Sequence, residues 1–296
     1  MDWDKLRIFH AVADAGSFTH AGEALNLHQS AVSRHIAGLE ESLRVPLFHR
    51  HPRGLRLTEQ GEMLYRTAHD VFTKLAMAEQ LLRDHKEKPS GELRVTTTVA
   101  FGSTWLAPRM AEFIRLYPEI DVDLMLEDRD IDLGQGKADV AIRMRAPVQS
   151  DLIQRRLFTV HYHIYCSPDY IEHNGLPRTV ADLDQHAIII YGEGVPATLR
   201  NLNWLATIGR ANNMPRTPRM KVNNVYGVLL ACEAGVGLAA LPDYLARGNQ
   251  RLTRVALDVE DPSFDTYFVF PEELRESKRV GVFRDYLLRQ SSDWTF

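Results

Sequence analysis

The sequence predicts a multidomain α+β protein: a small helical head with a β-hairpin, a long linker helix, and an α/β region built in two parts. Three observations lead there. Residues 25–43, LNLHQSAVSRHIAGLEESL, repeat apolar side chains at helical spacing, with a polar face that starts at Gln29. Residues 58–87 contain no proline and place Leu64, Ala68, Val71, Leu75, Ala78 and Leu82 at alternating intervals of four and three. From Leu93 onward, β-branched runs alternate with helical ones.

A chain of 296 residues is too long for one ordinary core and suits two or three compact units. No apolar run is long enough to cross a bilayer, so no membrane partner is expected. The start, MDWDKLRIFHAV, lacks the basic-then-apolar layout of a signal peptide, which predicts a cytoplasmic address. The 2 cysteines make neither a disulfide framework nor a metal knuckle. A net charge of −4 argues against indiscriminate nucleic-acid binding, but the charge is sorted along the chain. The window RVPLFHRHPRGLR (44–56) holds Arg44, Arg50, Arg53 and Arg56 and no acid.

Taken in order, residues 2–15 read as an amphipathic helix stopped by Gly16. Ser17 or Thr19 can cap a second helix running to about Leu25. Asn26 and Leu27 form a turn into the third helix, and small residues (Ala21, Ala24, Ala31) let the two axes cross closely. That is a helix-turn-helix. After Pro46, LFHRHPRGLRLT makes two β-prone arms around Pro52-Arg53-Gly54, a wing with arginine at its tip.

The third helix buries Val32, Ile36, Leu39 and Leu43 on one stripe and turns Gln29, Ser33, Arg34 and slim Ala37 the other way. The DNA major groove admits one such helix, and Gln and Arg read adenine and guanine edges from its first turns. His28, Gln29, Ser30, Ser33, Arg34, Arg50 and Arg53 are therefore the expected DNA contacts, the wing arginines meeting phosphates or the minor groove. Double-stranded promoter DNA is the expected macromolecular partner. The linker seam (Leu64, Ala68, Val71, Leu75, Ala78, Leu82) is too long for the head to bury, so a second copy of the same helix is expected to cover it, the alternative being the chain's own C-terminal domain.

KEKPSGE (86–92) marks a hinge. Beyond it, strands are expected at LRVTTTV, VDLMLE, ADVAIRM, RRLFTVHYHIYC, AIIIY, MKVN, LAALP and DTYFVF. Helices are expected at TWLAPRMAEFIRLYP, NVYGVLLACEAG and EELRESKRVGVFRDYLLRQ. GVGLAA (235–240) imitates a dinucleotide fingerprint but follows a helix, so it reads as a turn into a strand.

The segment SFTHAGEALNLHQSAVSRHIAGLEESLRVPLFHRHPRGLRLTEQGE, with PSGELRV, FIRLYPEIDVDL, GKADVAIRM and GVLLACEAGVGLAALP, resembles the LysR-type transcriptional regulators over essentially the full chain. Within them, the effector region with Trp105 is similar to the glycine-cleavage-activator-like subgroup and to α-proteobacterial stress and envelope regulators. The resemblance implies a winged helix-turn-helix at 1–60, a linker and dimerisation helix at 58–88, and a two-lobed effector domain like a periplasmic binding protein. Its lobes would span 91–162 with 267–296, and 163–266, joined by crossover strands near 161–164 and 264–268. It also implies a homodimer or homotetramer (a dimer of dimers), a small-molecule effector held between the lobes, and RNA polymerase as a further candidate partner. One departure is His28, where the family usually has Ser or Thr; histidine is a poorer helix cap.

Ligands on such sheets collect beyond the carboxyl ends of strands. There lie Thr97, Thr98, Ala100, Phe101 and Ser103, then Arg143 and Arg145, and from the other half Tyr191, Gly192, Asn223 and Asn224. The two arginines suit an anionic effector. No cofactor and no metal is expected, His161, His163 and Cys166 lacking a fourth ligand. No catalytic residue is assigned and no enzyme is expected, since no nucleophile elbow, zinc helix or phosphate loop occurs. Two alternatives stand beside this reading: a thiol redox-responsive regulator using Cys166 and Cys232, and a metabolite-binding or enzymatic two-lobed protein.

Overall fold

The computed structural model describes residues 2–51, 54–83, 88–146, 152–192, 201–210 and 214–292. The chain divides into two compact units, Met1–Gln80 and Leu81–Phe296.

In the first unit, α1 (Trp3–Ala15) starts on the Asp2 side chain, which accepts from the Asp4 N–H, and ends at Gly16 in the left-handed region. Helix α2 (Phe18–Leu25) is capped by Ser17 and stops at Asn26, also left-handed at φ 55. Helix α3 (Gln29–Leu43) follows after Asn26, Leu27 and His28. The tight crossing is made by Gly22 rather than by the expected alanines. A Cβ there would lie 2.6 Å from the Leu27 carbonyl oxygen, while Ala21 is buried but Ala24 is exposed. Strands β1 (Phe48–His51) and β2 (Gly54–Leu57) form the antiparallel wing, Phe48 opposite Leu57. Phe9, Val12, Ala21, Val32, Ile36, Leu39 and Leu47 fill the core.

Helix α4 (Glu59–Arg83) begins at Thr58, whose Oγ1 accepts from the Gly61 N–H at 2.9 Å and donates to the Pro46 carbonyl at 2.8 Å. The seam expectation needs correction here. Ala68 is buried in the head's own core and Leu64 packs against it, because α1 lies along the first turns of α4. Val71 and Leu75 are exposed. The side chains of Ala78 and Leu82 lie outside the described residues.

In the second unit the strands run in the order β4-β3-β5-β11-β6-β9-β7-β8, with β10 on β6. Strands β3 (Gly91–Thr97), β4 (Ile120–Leu126) and β5 (Val140–Arg143) are mutually parallel around β3. Strands β7 (Ile188–Tyr191), β8 (Met220–Val222) and β9 (Leu238–Pro242) repeat that pattern around β7. The two halves share β6 (Leu152–Cys166) and β11 (Ser263–Pro271), paired antiparallel from Leu152–Pro271 to His161–Ser263. The short β10 (Thr253–Val255) had no counterpart in the sequence reading. The GVGLAA segment is a turn, with Gly235 at φ +79, entering β9.

Where β6 and β11 pass from one half to the other, the register shifts between Asp265 and Tyr267. Leu157 and Phe158 of β6 then face Thr266 alone, which is a bulge. Thr266 is fully buried, and its hydroxyl closes the gap. It accepts from the Phe158 N–H at 3.3 Å and donates to the Phe158 carbonyl at 2.9 Å. Thr266→Val keeps the shape and removes both bonds. It should destabilise the chain by about 1–3 kcal/mol, read as a lower urea midpoint at unchanged slope; a midpoint equal to the parent's would show that the bulge needs no hydroxyl.

Candidate nucleic-acid interface and a cleft in the second unit

The polar start of α3 is presented to solvent. Val32, Ile36 and Leu39 point into the core, which leaves His28, Gln29, Ser30, Arg34 and Ala37 exposed and Ser33 half-buried. His28 occupies the cap position but makes no side-chain capping bond. The first N–H groups of α3 therefore lack the partner that Ser or Thr would supply. The Arg34 Nε donates to the Ser30 carbonyl at 3.3 Å, which holds the guanidinium beside the helix start.

Two neighbours were missed in the sequence. Lys5 reaches from α1 to donate to the Gly38 carbonyl at 3.4 Å, and with Ala31, Arg34, His35 and Gly38 it lines one shallow basic groove along α3. Nothing in the order of residues signals this, because Lys5 lies 33 positions from Gly38. The wing is tied to the same helix by Glu40, whose Oε1 accepts from the N–H groups of Leu47 at 2.7 Å and Phe48 at 3.3 Å. Arg50 sits on β1 opposite Leu55; its side chain, and all of Arg53, lie outside the described residues.

In the second unit, four of the expected ligand contacts share one cleft. Thr97, Thr98, Arg143 and Arg145 line it together with Glu127, Asp128 and Asp130. Thr97 Oγ1 donates to the Ile142 carbonyl at 3.0 Å and so ties β3 to β5. The cap of the following helix is supplied by Asp128, which accepts from the Val99 N–H at 3.1 Å, and not by Thr98. The arginines are engaged within the protein. Arg143 is 7% exposed, donates to the Ile131 carbonyl at 3.0 Å and lies 3.9 Å from Asp130, while Arg145 pairs closely with the same carboxylate.

The remaining expected contacts divide. Ala100 and Phe101 are core residues. Phe101 stacks on Trp105 at 4.9 Å, meets Phe158 at 5.6 Å and meets Tyr244 edge-on at 5.5 Å. It therefore packs against the crossing strand and a residue that follows β9, and not against solvent. Ser103 is exposed on the π-turn Gly102–Leu106. Gly192 donates to the Val222 carbonyl at 3.0 Å, and Asn224 caps the helix Val225–Glu233 by accepting from Gly227 at 2.7 Å. Asn223 is exposed and accepts from the Asn224 amide at 3.3 Å. Tyr191 is buried, its backbone held by Asn203 on both sides at 2.9 and 3.1 Å. Its hydroxyl faces that of Tyr162. Burial raises the phenols of Tyr162, Tyr191 and Tyr244 well above their ordinary range.

The cysteines are both buried and unpaired. Burial pushes the Cys166 thiol up to about 11 and the Cys232 thiol higher still, the reverse of a reactive thiolate. His161 and His163 are engaged by acids: the His161 N–H donates to Asp243 at 3.0 Å, and the His163 ring lies 2.5 Å from Asp261.

The chain matches the family described as bacterial regulatory helix-turn-helix protein, lysR family, over residues 3–62, and the LysR substrate binding domain over residues 86–292. It is 31% identical over 291 residues to an HTH-type transcriptional regulator of Xanthomonas campestris pv. campestris (strain 8004), covering 97% of this chain and 85% of that one. It is 29% identical to the HTH-type transcriptional regulator CrgA of Neisseria meningitidis serogroup C (strain 8013), covering 97% and 96%. The solved structure of CrgA, a LysR-type transcriptional regulator from Neisseria meningitidis, superposes with a TM-score of 0.64 over 99% of this chain and 100% of that one, at 29% identity. The helix-turn-helix with its wing and the two-part α/β domain together define a ligand-responsive regulator of transcription. The chain belongs to the LysR family of DNA-binding transcriptional regulators, with an effector-binding domain of the LysR substrate type. Among the described residues no helix is long and apolar enough to cross a membrane.

Asp128 allows a test of the cleft's polarity. Its carboxyl is held above the ordinary range, burial being the main cause, while the Val99 N–H pulls the other way. A carboxyl with a raised folded-state pKa favours the fold most when protonated, and that contribution is lost as pH rises through the folded pKa. Asp128→Asn keeps an acceptor for Val99 and removes the charge. The variant should unfold at a higher temperature than the parent at about pH 7, and the gap should narrow towards about pH 4. A gap that widens on acidification would contradict this.

Proposed function

We propose that this regulator reads promoter DNA with the first turns of α3, through His28, Gln29, Ser30, Ser33 and Arg34, and that Arg50 and Arg53 of the wing contact the phosphates. The observation that carries the reading is the exposed polar start of α3 beside Lys5 and His35, on a helix whose other face buries Val32, Ile36 and Leu39. Its first N–H groups, left without a side-chain cap by His28, suit a phosphate oxygen. The protein works in the cytoplasm as a homodimer, or a dimer of dimers, so that two reading helices meet a two-fold-related site. The exposed part of the α4 seam, Val71 and Leu75, with Met63 nearby on the same helix, supports that pairing. It acts by binding rather than by catalysis, and RNA polymerase is its partner at the promoter.

Anisotropy titrations against genomic fragments test this directly. Arg34→Ala should weaken binding by roughly 5- to 150-fold, the 1–3 kcal/mol of a good base contact. The parent should lose affinity steeply with salt. Equal affinity of parent and variant for every fragment would refute the assignment of α3.

The effector enters between the lobes, 91–162 with 267–296 and 163–266, and is anionic. Its acidic group takes the place of Asp130 against Arg143 and Arg145, since one carboxylate already satisfies both guanidinium groups. Tyr191, Gly192, Asn223 and Asn224 close on it from the far side, and their position at the ends of β7 and β8 supports that assignment. A metabolite screen by thermal shift should find a carboxylate or phosphate ligand whose shift disappears in Arg143→Ala; a full shift in that variant would place the anion elsewhere.

A further inference from the structure

In the first unit, α1 and α4 bring together a polar cluster that neither DNA reading nor the core explains. His10 and Asp14 stand one turn apart on α1, and Tyr65 and His69 stand one turn apart on α4. The His10 Nε2 lies 2.9 Å from the His69 Nδ1, and the other ring nitrogen of His10 lies 3.3 Å from Asp14 Oδ2. Tyr65 donates its hydroxyl to Asp14 Oδ1 at 2.5 Å. One donor atom each from His10, Asp14 and His69 fall within 4.8 Å of one another. The rings are walled by aromatic groups: His10 stacks on Tyr65 at 5.5 Å and on His69 at 5.1 Å, and lies against Phe72 at 5.1 Å.

We propose that His10, His69 and Asp14 form a zinc-class site that clamps α1 to α4. Two imidazoles and one carboxylate are a borderline-soft donor set, and three protein ligands leave a fourth position for water. Tetrahedral zinc holds two nitrogens roughly 3.3 Å apart, so the rings need to part by about 0.4 Å from their present 2.9 Å, and the Asp14 carboxylate, now beside the other nitrogen of His10, has to swing round to the ion held by Nε2. Tyr65 supplies the outer-sphere bond that orients a ligating carboxylate. The half-buried rings and the 46% exposed Asp14 side chain leave an open path for the ion. The surface pair His173 and Asp169 has the same one-turn spacing, 3.8 Å apart, but no third donor among the described residues, which makes it a built-in control. Sequence spacing does not reveal the site, because His10 and His69 are 59 residues apart.

The test uses the full-length protein freed of metal by chelation and titrated with Co²⁺, then with Zn²⁺ in competition. One equivalent of Co²⁺ should give the intense visible absorption of a tetrahedral nitrogen–oxygen site, and Zn²⁺ should abolish it. Saturating Zn²⁺ should raise the unfolding midpoint by roughly 5 °C. His69→Gln and Asp14→Asn should each weaken binding at least about tenfold, and His173→Gln should leave it unchanged. Asp14→Asn keeps an acceptor for Tyr65 and sits at the surface, so it reports on ligation even where His69→Gln disturbs the fold. Absence of the tetrahedral band, or unchanged binding in Asp14→Asn and His69→Gln, overturns the site and leaves a plain hydrogen-bonded cluster. None of these readouts involves DNA, so they fail or succeed independently of the proposed function.

Discussion

The regulatory unit depends on one backbone problem solved by one hydroxyl. Strands β6 and β11 are shared by both halves of the sheet, and where they cross, two residues on one face a single residue on the other. A bulge of this kind leaves an amide unpaired, which is costly inside a protein. Thr266 answers both the backbone N–H and the backbone carbonyl of Phe158 at once. Next to it, Thr159 donates to Asp265 at 2.7 Å and Arg156 pairs with the same carboxylate at 2.8 Å. With the crossing held there, the Phe158 ring is placed against Phe101 and Trp105.

The head obeys a comparable economy. Its reading helix is positioned by buried Val32, Ile36 and Leu39, by the close pass of Gly22 beneath Leu27, and by Glu40 gripping the start of the wing. Each of these groups points away from the exposed face, where the Arg34 guanidinium folds back onto the Ser30 carbonyl. That separation explains how an acidic chain presents a basic groove: Lys5 and Arg34 gather on one side of α3 while Glu40 is consumed on another.

Electrostatics in the cleft follow from the same packing. Asp130 neutralises both arginines, Asp128 caps a helix start, and burial raises the phenols of Tyr162, Tyr191 and Tyr244. A site in this condition favours a ligand that replaces an existing charge over one that adds a new one, since an unpaired ion would bear the full desolvation penalty. The cysteines fit that setting as small core residues: deeply buried thiols with raised pKa values are poor redox sensors.

Sequence periodicity alone located α3, the wing, the linker helix and nearly every strand, because those elements are set by local spacing of apolar side chains and by Gly, Pro and capping residues. It also chose the polar face of α3, since a helix has only one face left once Val32, Ile36 and Leu39 are buried. It misjudged Leu64 and Ala68, which look like part of a continuous seam but lie under α1. It placed Phe101 at a ligand rather than in an aromatic core, and it gave no sign of the Asp130 carboxylate that pairs with Arg143 and Arg145. The groove with Lys5, the Thr266 bulge and the His10–His69 contact belong to the tertiary structure alone. Each joins residues tens of positions apart, and hydrogen bonds, ion pairs and ring contacts act over a few ångströms of space, a distance that residue order does not encode.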